Sequence, residues 1–382
     1  MNRALPVIVG TLLLSACAPA EPSLEFGEPL PGASLLGALG DRPTEVAVAD
    51  GDLWPSCWAA DGSLYAANGD GAAFGGQAFD AAVSRIDGEP GSLDGETLAG
   101  GEAIASVWSG AGFTRKPTGM VCVDGAIYLA VQDLRRDFNE APAASISVSR
   151  DGGRTWEWDT SAPMFDGHVF TTIMFLDFGQ ENAHAPEGWV YAYGLDGNWR
   201  DSFDDSVPDP EHLYLARVPD DRILDRSAWE FVSGLESGTP EWSHDIADRE
   251  PVLTDTRRLY PGDGAADGGT VGASDLSVIS QGGVVYVPGL DRYLYTSWTE
   301  LTFEFYEAPE PWGPWTLFLS RDFGPYPWPE DAFGGYATTI PSKFISDDGR
   351  SMWVQSNVCP CAPAGVASYF FGLRELHLQV VR

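Results

Sequence analysis

Hydrophobic positions along this chain come in short runs, alternating or continuous, closed off by turns that carry Gly and Asp. Runs of that length between turn signals predict strands, and no convincing long amphipathic helix interrupts them. Five times a turn is followed by apolar positions ending in an aromatic residue: Asp61-Gly-Ser-Leu-Tyr65, Asp124-Gly-Ala-Ile-Tyr128, Glu187-Gly-Trp-Val-Tyr191, Gly282-Gly-Val-Val-Tyr286 and Asp348-Gly-Arg-Ser-Met-Trp353. These aromatic landmarks lie 63, 63, 95 and 67 residues apart. Apolar runs precede the turns, for example 120–123, 276–279 and 343–345, so each unit reads as a β-hairpin whose Gly supplies the positive φ of its turn.

A second series runs in phase with the first. Ser84-Arg85, Ser149-Arg150, Ala216-Arg217, Ser320-Arg321 and Leu373-Arg374 end a third strand 20, 22, 26, 35 and 21 residues after the landmarks. Four strands per unit and five units predict an all-β fold, a five-bladed β-propeller with four-stranded antiparallel blades, over residues 45–382. A β-sandwich with accidental spacing is the competing architecture.

The run Ser149-Arg-Asp-Gly-Gly-Arg-Thr-Trp156 falls between the third and fourth strands of the second unit. It resembles the Asp-box of sialidase-like propellers at every defined position. Physically, the Asp151 carboxylate can accept from nearby backbone N–H groups, the glycines permit the bend, and Trp156 can pack between blades. That role is structural.

Composition narrows the partners and the address. Gly 44 and Pro 28 fit a turn-rich fold, and a formal charge of −34 disfavours nucleic acid, anionic membrane surfaces and polyanionic sugars. Residues 1–17 have Arg3, an apolar run too short to span a bilayer, and Leu14-Ser-Ala-Cys17, which resembles a lipobox. They predict a lipoprotein signal peptide with Cys17 as the lipidated residue. With Ala18 after it, an exported bacterial lipoprotein at the outer membrane or cell surface is expected, touching membrane only through its lipid anchor. Residues 18–44, rich in Pro, Gly and Glu, read as a flexible tether. Cys57, Cys122, Cys359 and Cys361 remain for disulfides, with three pairings open. A zinc site with His168, His184 or His244 lacks a matching ligand pair, so no metal ligands are assigned and no cofactor is required. An Asp-rich centre could still hold a structural calcium ion.

In such a fold the working rim is made by segments leading into the innermost strands and by loops leaving the second strands. Asp52, Asp70, Asp133 and Asp275 fall there and are the candidate catalytic carboxylates, with Asp52 and either Asp133 or Asp275 as the first pair to consider. Trp54 and Trp199 are the expected stacking platforms, and His168 and Asn357 are further candidate substrate-binding residues. Against 20 Arg the chain has two Lys, Lys116 and Lys343, both read as leading into inner strands and suited to hold a carboxylate ionised or bind a sugar oxygen.

Segments 52–71, 115–133, 212–234, 311–318 and 336–357 resemble the bacterial family known as domain of unknown function 4185, a family similar to sialidase and arabinanase propellers. Some of its members are endo-acting glycoside hydrolases that cut D-arabinan. The resemblance implies a hydrolase acting inside a neutral polysaccharide, with Asp52, Asp70, Asp133, Lys116 and Lys343 carried over by their motifs. The alternative is a non-catalytic surface propeller that binds glycan or protein.

Overall fold

The computed structural model describes residues 24–381, apart from 205, 261–274, 326, 361–365, 367 and 368. Cys17 with its leader, and Cys361, lie outside the described residues. The described chain is all-β: strands are joined by turns and single 3-10 turns, and no helix is long and apolar enough to cross a membrane.

The described strands follow five antiparallel meanders. The first runs through Asp50–Trp58, Leu64–Ala73, Phe79–Asp87 and Asp94–Gly100. The second has Phe113–Val123, Ala126–Arg135 and Ala143–Ser149, with Glu157 bridged to Val148 at its outer edge. The third has Thr172–Asp177, Trp189–Leu195, His212–Pro219 and Glu230–Glu236. The fourth has Gly283–Val287, Arg292–Trp298, Thr302–Ala308 and Thr316–Asp322, and joins the third through the parallel pairs Leu176–Val284 and Asp177–Val285. The fifth has Tyr336–Thr339, Ser351–Asn357 and Phe371–Val380.

Apolar side chains from consecutive meanders meet in separate cores. Tyr65 and Val83 pack with Met120 and Leu129, Ile146 with Ile173 and Phe231, Leu215 with Val284 and Tyr306, and Phe303 with Val354 and Leu376. A further core, with Leu64 and Ile86 against Phe371 and Leu373, joins the fifth meander back to the first. Both faces of these sheets are covered, which is why a strand such as Ala126–Arg135 is buried along nearly all its length instead of alternating.

Two expectations need correction. The tether expected over 18–44 stops short, because Leu35–Leu39 pairs antiparallel with Phe371–Val380 and buries Leu35 and Ala38 as the outer strand of the fifth meander. In the fourth unit the landmark Tyr286 lies in the first strand, not the second, and Arg321 in the fourth strand, not the third. Gly282-Gly283 imitates a turn in the sequence but sits where backbones approach closely: a Cβ on Gly282 would lie 1.6 Å from the Thr296 carbonyl oxygen. The two slips, one strand early for Tyr286 and one strand late for Arg321, account for the odd 35-residue spacing.

The Ser149–Trp156 turn is built as its chemistry suggests. Asp151 accepts from the Thr155 amide at 2.9 Å and its hydroxyl at 2.7 Å, and Ser149 Oγ donates to Asp151 at 2.9 Å. These bonds hold the Asp151 carboxyl down at about 2. Trp156 donates to the Gly153 carbonyl at 3.0 Å and is buried between the first and second meanders. Cys57 and Cys122 form a disulfide across the same core, and Cys359 is also disulfide-bonded.

Candidate active site

Asp52 lies near the start of the first meander's inner strand, where the pairing with Leu64–Ala73 shifts register on both sides of Asp52-Leu53. Leu53 and Trp54 take positive φ values of 75° and 51° within this irregular stretch. Backbone strain of this kind re-aims a side chain and recurs at functional sites. Asp70, on the neighbouring strand, also has positive φ, at 39°. Gly69 between them is needed for space: a Cβ there would stand 2.4 Å from Asp52 Oδ1 and 3.0 Å from Lys116 Nζ.

Lys116 reaches this point from the inner strand of the second meander. Its ammonium, 2% exposed, is 3.7 Å from Asp52 Oδ1 and forms a tight ion pair with Asp70 Oδ2. Asp52 is buried, whereas the Asp70 side chain is 41% exposed and opens the site to solvent. The fifth meander closes the other side. Tyr336 Oη donates to Asp52 Oδ2 at 2.9 Å, and Tyr369 also hydrogen-bonds Asp52.

Burial is the largest influence on the Asp52 carboxyl and pushes its pKa up, aided by the charge of Asp70 and opposed by Lys116 and the two tyrosine hydroxyls. Tyr336 is itself pushed well above the ordinary phenol range by burial and by Asp52. A buried carboxyl biased towards its neutral form beside a more open carboxylate is the division of labour an acid and its partner need.

The other sequence candidates are placed elsewhere. Asp133 accepts from the Trp108 and Ser109 amides at 2.7 and 2.6 Å, fixing the loop that leads into the second meander. Asp275 is exposed and lies outside the inner strand of the fourth meander, just before a short pairing of Leu276–Ser277 with Arg258–Leu259. Of the four candidate carboxylates, Asp52 and Asp70 are the two whose ion pairs meet at one cation. Lys343 follows Tyr336–Thr339 and reaches the ring of Phe344 and a cavity with Glu89 and His377. Its Pro-Ser-Lys segment leaves the inner strand rather than entering it, so it cannot balance Asp52.

Trp54 is fully buried against Phe74 and Phe371 and offers no stacking face. Trp199 is buried too, packing on Trp298 and on Tyr336, whose hydroxyl it helps to aim at Asp52. Asn357 is buried and donates to the Phe370 carbonyl at 3.1 Å, bracing the segment that carries Tyr369. His168 contacts Glu140 at 2.9 Å and lines a separate cavity of about 380 Å³ with Asp196, Asp209 and Tyr214. Tyr336 and Tyr369 are the residues that sequence reasoning missed. Tyr336 opens the 336–357 segment and was within reach, while Tyr369 follows a Cys-Pro-Cys run that points to no site. Among the described residues no group of three or more His, Cys, Asp or Glu could hold a metal ion.

The model of the family described as domain of unknown function (DUF4185) matches residues 36–336. The chain belongs to this family. That match begins within the Leu35–Leu39 strand and includes Asp52, Asp70, Lys116 and Tyr336 of this DUF4185 protein. No curated protein sequence matches it. Among solved structures, the chain is similar to a GH43_1 enzyme from Xanthomonas citri, at 15% identity and a TM-score of 0.48 over 89% of each chain. It is also similar to a GH43 β-xylosidase/α-arabinofuranosidase from a compost microbial metagenome, at 14% identity and a TM-score of 0.48 over 90% of this chain and 94% of that one. Likenesses this distant bear on neither substrate nor mechanism.

Proposed function

We propose that this DUF4185 protein is a glycoside hydrolase cutting within a neutral polysaccharide, a D-arabinanase-like furanosidase, on a five-bladed propeller exported as a lipoprotein. The observation that carries the reading is the convergence of Asp52 and Asp70 on the single ammonium of Lys116. Asp52 acts as the acid, giving its proton to the glycosidic oxygen as that bond to the anomeric carbon breaks. Asp70 attacks the same carbon and forms a glycosyl ester. Water, losing its proton to Asp52, then releases the sugar and restores both groups.

Two oxygens within ion-pair reach of one nitrogen lie close together, which supports the shorter spacing of retaining enzymes, about 5–5.5 Å, over the roughly 6.5–9.5 Å that leaves room for an attacking water. The furanose preference rests on the family resemblance. Reducing-end release from arabinans, arabinogalactans and xylans tests the activity, and the anomer first formed, read by NMR, tests the route. Release from none of them across pH would count against the hydrolase, and an inverted first product against Asp70 as nucleophile.

A further inference from the structure

Two aromatic rings stand exposed on loops that leave second strands. Phe138, 40% exposed, follows the second strand of the second meander, and Phe203, 44% exposed, follows the second strand of the third. Their rings lie 6.4 Å apart, nearly perpendicular. The loops are tied together: the Phe203 amide donates to Asn139 Oδ1 at 2.6 Å, and Asn198 Nδ2 to the Phe138 carbonyl at 3.0 Å. Phe138 is held at φ 69°, a left-handed conformation that a bulky residue seldom adopts. The fold thus keeps a large apolar ring in water and in a strained backbone, two unfavourable features at one position.

The pair is continuous with the acids. Arg200 stacks 4.1 Å from the Phe203 centroid and 5.9 Å from that of Trp199, and Trp199 packs on Tyr336, which bonds Asp52. On the other side, Phe138 follows by three residues the strand whose Gln132 pairs with Lys116. Arg200 is fixed by Glu300 at 2.6 Å and stacks on Phe203, which holds the ring in place while 44% of the residue stays exposed. Carboxylates crowd the neighbouring cavity wall, with Asp196, Asp209 and Glu211, and such a wall repels anionic ligands.

We propose that Phe138 and Phe203 form a remote sugar-stacking subsite that holds the same uncharged glycan chain away from the bond being cut. The proposal rests on the hydrolase reading for its ligand. Aromatic faces bind the C–H faces of neutral sugars, and an enzyme cutting within a chain needs such a hold beyond the reacting residues.

The test compares Phe138→Ala, Phe203→Ala and Phe203→Trp with wild type on polymeric D-arabinan and on a short arabino-oligosaccharide. The ratio of kcat/KM for polymer over oligosaccharide should fall about tenfold in the alanine variants and return in Phe203→Trp. An unchanged ratio overturns the proposal, as does a dimer that the double alanine variant dissolves in sedimentation. Retardation of the Asp52→Asn protein in D-arabinan gels separates the two readings. If wild type cuts nothing but the alanine changes abolish retardation, the hydrolase fails and the subsite stands. Retardation that survives them, or that never occurs, overturns the subsite.

Discussion

Asp52 and Lys116 meet at 3.7 Å although they come from different sheets, and the same ammonium contacts Asp70. One buried cation thus faces two carboxyls, an arrangement that balances only when one of them is neutral. Replacing Lys116 by Met removes that charge. Turnover should fall by about 100-fold or more. Because Lys116 lowers the Asp52 pKa, its loss should also move the basic limb of the pH–rate profile upward. A profile left in place would show that Lys116 does not act on the acid.

Tyr336→Phe should act in the same direction by a different contact. Its hydroxyl favours the ionised form of Asp52, so removing it raises the Asp52 pKa and shifts the basic limb up. The rate at the optimum should drop about tenfold, the loss of one hydrogen bond to the carboxylate that Asp52 becomes as it gives up its proton. Titration of kcat against pH checks both.

The fold was legible where local chemistry repeats. Alternating runs, Gly-bearing turns and the Ser149–Trp156 motif marked the strand-and-turn pattern, because each depends on residues close in sequence. The fourth unit slipped because Gly282 serves close packing against Thr296, which no local pattern distinguishes from a turn. Of the site, Asp52, Asp70 and Lys116 were named from position. Tyr336 and Tyr369 were not, since their role arises only when the fifth meander closes against the first. Trp54 and Trp199 misled for a related reason: an indole on a rim segment reads as a platform until burial is known.

The Cys57–Cys122 disulfide links the inner strands of the first two meanders across 65 residues of sequence. Closing a loop of that length restricts the unfolded chain by about 4 kcal/mol in the chain-entropy model. The double Cys57→Ser, Cys122→Ser variant should lose stability of that order in urea melts. A midpoint equal to wild type would assign the bond no structural weight.

Asp201 is pushed up by burial and then by its hydrogen bond and charge repulsion with Asp209. A carboxyl whose folded pKa is raised stabilises the fold fully below its unfolded value, near 3.8, and that contribution is lost as pH rises through the folded value. Asp201→Asn should therefore flatten the decline in stability above pH ~4, measured as melting temperature against pH. A slope identical to wild type would show that Asp201 does not set this decline.

Asp52 and Asp70 as the working pair stand or fall on reducing-end release from D-arabinan by wild type, Asp52→Asn and Asp70→Asn. Each substitution keeps the side chain's shape, so melting temperatures should stay close to wild type while rates fall by about 10²–10⁴-fold. A folded variant of either kind that releases reducing ends at the wild-type rate would contradict the assignment.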